Sequence, residues 1–232
     1  MTAKSSHGVV VTVIAEGVSD EEFLKRVVAP TLHARQIYLK PLTIETSPGH
    51  SGGAVSYDRL KFNARNILRQ RPDTYLTTFL DLYALDTSFP GAHEAFALNG
   101  PARKAGHIEA RLHESLVSEI GCRPDRFFAH VQPYELEGLF FSNTTAMSEA
   151  VPGWQACAAQ LQAQLAGCET PEHLNGRPMT HPSQRLADIL VPRYQKRSHA
   201  PLIGERIGLQ AIAASCPHFG AWVSRLTALE PL

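Results

Sequence analysis

Three apolar runs in this chain end in a carboxylate. VVVTVIA is followed at once by Glu16, TYLTTFL by Asp81, and RFFAHVQPY by Glu135, with Glu137 two residues further on. Val, Ile, Phe and Thr with almost no polar relief suit strands buried on both faces. The pattern predicts strands over 8–17, 39–47, 74–85 and 126–132. Helical spacing separates them. A helix is expected from Ser19, with Glu22 completing a capping box and Phe23, Val27 and Val28 forming its apolar face. Pro30 should disturb that helix before its end near His33. Leu60, Ala64, Ile67 and Leu68 place a second helix over 57–70. A third is expected over 108–120, after a loop of turn formers from Asp86 to Gly106, and Pro133 is expected to open a fourth.

Alternation of strand and helix predicts an α/β fold, a mainly parallel central sheet flanked by helices. The texture changes after Asn143. Stretches rich in Ala and Gln, such as GWQACAAQLQAQLAG, lie between Pro/Gly loops, and no strong strand pattern follows. The expected division is an α/β domain over 1–143 and a mostly helical C-terminal extension over 144–232, packed on it.

Composition excludes some classes. No apolar run approaches the roughly 20 residues of a membrane helix, so no membrane partner is expected. The segment after MTAKSSHG is broken at once by Glu16, which makes a poor signal peptide. Cys122, Cys157, Cys168 and Cys216 are scattered without a C-x-x-C pair, which argues against zinc held by cysteine and for a reducing, cytoplasmic setting. Lys and Arg number 22 against 22 Asp and Glu. A protein that lives by electrostatic grip on nucleic acid usually carries a basic excess. An enzyme whose cations supply the positive charge locally does not need one.

In a parallel sheet all strand C-termini share one edge, where ligands bind. Glu16, Asp81 and Glu135 or Glu137 should therefore converge. Clustered carboxylates repel and hold their protons unless a cation intervenes, and hard oxygen ligands select ions such as Mg2+ or Mn2+. A strand-terminal acid taken alone also fits a helix cap or a solvated loop; it is the recurrence that points to metal. Glu135 and Glu137, two residues apart, should point different ways, with Glu135 favoured and Glu137 the second choice.

Two further stretches bear on this edge. Ser47–Tyr57 is glycine-rich and could approach phosphate, with His50 available for proton transfer, although a plain turn fits it better. Arg193, Lys196, Arg197 and Arg206 gather in RYQKRSHAPLIGER, and Lys196 is the residue expected to hold a scissile phosphate. Trp154 and Trp222 read most simply as core or interface aromatics.

EGVSDEEF, DLYAL and PYELEGLFF, each at the end of an apolar run, resemble the Toprim catalytic domain shared by topoisomerases, primases and overcoming-lysogenization-defect nucleases. More closely, their order, together with the tail Cys216-Pro217-His218-Phe219 and Trp222, resembles a Toprim-like family of unknown function (domain of unknown function 4276). The resemblance implies a Toprim-like core in which Glu16 binds metal or acts as general acid/base. It implies that Asp81 is the first acid of a D-x-D pair. The second position is Tyr83, so Asp86, Glu135 or Glu137 must substitute if two ions bind. It also implies phage defence beside an AAA- or ABC-type ATPase partner. The expectation is Mg2+- or Mn2+-dependent phosphodiester hydrolysis, a nuclease on DNA or RNA using Glu16, Asp81, Glu135 and Lys196, with metal held by Glu16, Asp81, Glu135 and Glu137. The competing expectation is a catalytically degenerate subunit that binds and regulates such an ATPase.

Overall fold

The computed structural model describes residues 8–47, 50–51, 55–174 and 180–232. Five strands form one sheet in the order β2-β1-β5-β6, with β7 continuing along β5 beyond β6, and every pairing is parallel. The strands are β1 (Val9–Ala15), β2 (Ile37–Thr43), β5 (Thr74–Asp81), β6 (Phe127–Phe128) and β7 (Val131–Gln132). A separate antiparallel pair joins β3 (Glu45–Ser47) to β4 (His50–Ser51). The α/β expectation holds. The predicted second strand is split after Thr43. The third ends at Asp81, where Leu82–Ala84 turns away as a 3-10 helix. The fourth breaks in two at Ala129–His130.

Helices cover both faces. The first ascent runs through α1 (Val18–Phe23), a π-helical turn (Leu24–Val28) and α2 (Ala29–His33). It starts earlier than expected: Gly17 is the N-cap and Asp20 Oδ2 accepts from Gly17 N at 3.1 Å, in place of the predicted box of Ser19 and Glu22. The π turn just before Pro30 is the predicted disturbance, because proline lacks the N–H that would close an α-helical turn. α3 (Tyr57–Gln70) has the expected bounds. After α4 (Ala92–Ala95), α5 runs Pro101–Ile120, a full turn and more longer than predicted, with Pro101 in its first turn. Pro133 opens no α-helix; Tyr134 takes a left-handed φ of 64° and Leu136–Asn143 follows as 3-10 turns. Then come α6 (Thr144–Ser148), α7 (Ala158–Ala163), α8 (Pro182–Ile189), α9 (Lys196–Ile207), α10 (Leu209–Ser215) and α11 (Pro217–Thr227).

The period-2 alternation of the strands separates two cores. Val11, Val13, Ala15, Tyr75 and Phe79 face one side and share a cluster with α1, the π turn and the C-terminal helices. Ile14, Leu76 and Leu80 face α3 and α5. Residues after 143 thus supply much of one sheet face's cover. Trp154 and Trp222 are both core residues, with indole N–H groups bound to Pro192 O at 2.7 Å and Thr77 Oγ1 at 3.0 Å. No helix among the described residues is long and apolar enough to cross a membrane.

Candidate functional site

Glu16 and Asp81 stand side by side at the C-terminal edge of the two central strands. Glu16 N extends the ladder to Phe79 O at 3.3 Å, and Glu16 Oε2 accepts from Asp81 N at 3.2 Å. Asp81 has the strand parity of Tyr75 and Phe79, so its side chain leaves the sheet toward α1 and the C-terminal helices. From α9, Lys196 brings its ammonium to 3.9 Å from Asp81 Oδ2 and 3.2 Å from Glu137 Oε2. Glu137 is fully buried and accepts from the Tyr194 hydroxyl at 3.0 Å.

Local packing fixes how close α9 comes. A Cβ on Gly204 would meet Val27 Cγ2 at 2.7 Å and the Phe23 ring at 2.9 Å, so only glycine lets α9 lie this near α1 and the π turn. Arg26 then clamps the pair, its Nε and Nη2 donating to Glu205 at 2.7 and 2.6 Å.

Asp20 completes the cluster. It is buried in the first turn of α1, and Gly17 leaves room for its carboxylate: a Cβ there would stand 3.2 Å from Asp20 Oδ2. Burial, then the charge of Asp20, pushes the Glu16 carboxyl up to about 7. Burial likewise raises Asp20 to about 6, although Lys196 opposes the rise. Burial, with Asp20 beside it, lifts Asp81 well above the usual range. Burial alone would lower Lys196, but Glu137, Asp81 and Asp20 outweigh it and hold the ammonium charged. Asp20 Oδ1 and Asp81 Oδ1 are buried without a hydrogen-bond partner. Such orphaned acceptors are rare in native interiors.

Glu135 and Glu137 do diverge. Glu135 caps the 3-10 segment, and its oxygens are taken by Ser183 N at 3.0 Å and His181 Nδ1 at 3.3 Å, so its contacts run to α8 rather than to Lys196. Its charge still acts on Glu16 and Lys196. Glu137 makes the direct contact. Tyr83, at the position of the missing second acid, is half exposed and stacks on Tyr134 with ring centroids 5.3 Å apart. Asp86 is occupied locally, accepting from Ser88 N at 2.8 Å. Of the basic stretch, Lys196, Arg197 and Arg206 lie in α9 and Arg193 precedes it; Arg193 and Arg197 are exposed, while Arg206 pairs with Glu149 at 2.5 Å. Pro48, Gly49 and Gly52–Ala54 of the glycine-rich segment, and the His50 side chain, lie outside the described residues.

The carboxylates around Lys196 are spaced more openly than a closed metal cage. Among the described residues, Glu109, His130 and His218 form the one group of at least three potential ligands whose donor atoms all lie within 4.8 Å of one another. The sequence pattern singled out neither Glu109, His130 nor Asp20, and His218 only as part of the tail. Asp20 had a visible signal, an acid four residues after Glu16 in EGVSD; Glu109 and His130 had none, because pattern does not reveal which helix crosses which strand.

Residues 15–227 match one family, described as Domain of unknown function (DUF4276). No curated protein and no solved structure matches.

Proposed function

The chain belongs to the Domain of unknown function (DUF4276) family, and from that premise and the geometry at the sheet edge we propose a divalent-cation-dependent phosphodiesterase acting on DNA or RNA. One observation carries the reading: five carboxylates, from Glu16, Asp20, Asp81, Glu135 and Glu137, act electrostatically on one another and on a single lysine at the C-terminal edge of a parallel sheet. Such an arrangement is costly for stability and is the kind of perturbed cluster that marks functional sites.

The donor set fits Mg2+ or Mn2+. All the ligands are hard oxygens, and Asp20 Oδ1 and Asp81 Oδ1 are unsatisfied. In this reading Glu16, Asp81 and Glu137 would hold the ion after closing in from the more open spacing they have around Lys196, with Asp20 and Glu135 contributing charge. A bound ion would polarise phosphate and make water more acidic. The chain's own residues supply the rest. Glu16, if it stays off the ion, has a carboxyl near neutrality that can take a proton from water. Lys196, 38% exposed along its side chain, can leave Glu137 and meet an anionic oxygen. The stacked Tyr83 and Tyr134 offer a flat face beside the acids, suited to an unpaired base. Phage defence beside an ATPase is the setting that the Toprim resemblance adds to this reading.

The second reading, a degenerate subunit that regulates an AAA- or ABC-type ATPase, is favoured by the open spacing of the acids and by Tyr83 at the second acid position. Calorimetric titration with Mn2+ separates the two. Binding that is lost in Glu16→Gln and Asp81→Asn, together with Mn2+-dependent cleavage of single-stranded DNA or RNA lost in the same variants, supports the enzyme. A folded wild type that binds no Mn2+ supports the subunit.

A further inference from the structure

The C-terminal tail Cys-Pro-His-Phe-x-x-Trp takes no part in the acid cluster. It places His218 in the first turn of α11, over the broken edge strand of the sheet. There Glu109, from the middle of α5, and His130, from the gap between β6 and β7, meet it. His218 Nε2 lies 2.8 Å from Glu109 Oε1, and His130 Nδ1 lies 3.5 Å from the same oxygen. We propose that Glu109, His130 and His218 bind a borderline divalent transition ion, Zn2+ foremost, at a second site distinct from the acid cluster.

The argument starts with the protons. His130 is buried, and its Nε2 faces Gln132 Oε1 at 3.3 Å. Gln132 Nε2 donates to Pro133 O at 3.5 Å, which leaves Oε1 as the acceptor for His130. The single N–H of the neutral ring therefore belongs on Nε2, and Nδ1 presents a lone pair. Opposite that lone pair stands Glu109 Oε1, which can only accept. Two acceptors facing across 3.5 Å repel unless a cation joins them.

Distances and surroundings agree with such an ion. Ligands at Zn–N and Zn–O bond lengths of roughly 2.0–2.2 Å in tetrahedral array stand about 3.4 Å apart. The His130–Glu109 pair, at 3.5 Å, already has that separation, and the His218–Glu109 pair, at 2.8 Å, would open by more than half an ångström. His130 is oriented from behind by Gln132, as metal ligands are, and the backbone N–H of His218 is fixed by Glu172 at 2.9 Å, while Glu109 is held by Val131 N, which donates to the same Oε1 at 2.7 Å. The three line a cavity of about 150 Å³ together with Trp222 and Arg225. That leaves room for water as a fourth ligand, the open arrangement of a His2Glu centre. Nitrogen donors favour Zn2+ here, as oxygen donors favour Mg2+ or Mn2+ at the acid cluster.

The test uses the tag-free full chain, stripped with chelator and titrated with Co2+ followed by competition with Zn2+. Expected is a visible absorption band that saturates at one Co2+ per chain and that Zn2+ abolishes, whatever further Co2+ the acid cluster takes up, with the affinity read on that band weakened by at least roughly tenfold in His218→Gln and Glu109→Gln. Glu16→Gln should bind as the wild type does. Circular dichroism reports whether the variants are folded. Should either fail to fold, X-ray absorption of the zinc-loaded wild type decides: two imidazoles with oxygen ligands support the site, and an oxygen-only or thiolate shell overturns it. A wild type that takes up no Co2+, or folded variants with unchanged affinity, also overturns it.

Discussion

The Lys196 ammonium lies 3.2 Å from Glu137 Oε2, joining the first residue of α9 to a fully buried carboxylate on the 3-10 segment after β7. The pair links two chain segments nearly sixty residues apart, beside Asp81 at the sheet edge. It is partly exposed at the lysine and fully enclosed at the carboxylate.

Replacing Lys196 by Met removes the cation but keeps the packing of the stem. Solvent already screens part of the pair, so the expected loss is modest, about 1–2 kcal/mol by urea unfolding. Cleavage should be abolished. Mn2+ should raise the melting temperature of the variant by more than that of the wild type, because an added ion then compensates charge that lysine no longer offsets. A variant that Mn2+ stabilises less than the wild type argues against a shared cation site.

Glu137 and Glu135 can be told apart. Glu137→Gln removes the contact with Lys196 and should weaken Mn2+ binding strongly. Glu135→Gln keeps an acceptor for Ser183 N, and its effect on Mn2+ affinity should be several-fold smaller. Equal losses by calorimetry would show that the flank position ligates as directly as the buried one.

Glu16 sets the pH dependence. Its folded carboxyl titrates at about 7 against an ordinary 4.5. Between those values the folded state holds a proton that the unfolded chain has released, so stability falls as pH rises through this window and the penalty is complete above it. A divalent ion must displace that proton. Mn2+ affinity should therefore climb from about pH 5.5 to about pH 8, by up to roughly tenfold per unit for each proton displaced. Asp20, raised to about 6, behaves in the same sense. Asp20→Asn should stabilise the metal-free protein most above about pH 6, and the gain should shrink as pH falls toward the ordinary value of 3.8.

Glu172 tests the scaffold apart from the acid cluster. Buried, its two oxygens accept from His218 N and Phe219 N, each at 2.9 Å, and so cap α11 from another segment. Glu172→Ala leaves both donors unpaired and should cost about 3 kcal/mol in urea unfolding.

Much of the fold was legible. Period-2 and period-3.6 patterns are local, and they placed α3 to the residue and β1 and β5 within a few positions. Misplaced boundaries have local causes that pattern underweights. Gly17 gave room for Asp20 to cap α1 in place of Ser19. A left-handed Tyr134 set off a 3-10 segment where Pro133 suggested a helix. The edge strand broke at Ala129–His130, where Thr78 Oγ1 takes the His130 N–H at 2.9 Å.

The sequence by itself determined that acids would stand at the ends of buried strands, because alternation and strand direction are properties of the chain alone. Only the tertiary structure decided which of them meet. Glu137 rather than Glu135 touches Lys196, Asp20 joins them, and Glu109, His130 and His218 assemble elsewhere on the sheet. These are contacts between segments tens of residues apart, set by how closely helices pack over the sheet, and Gly204 shows how a single missing methyl controls that distance.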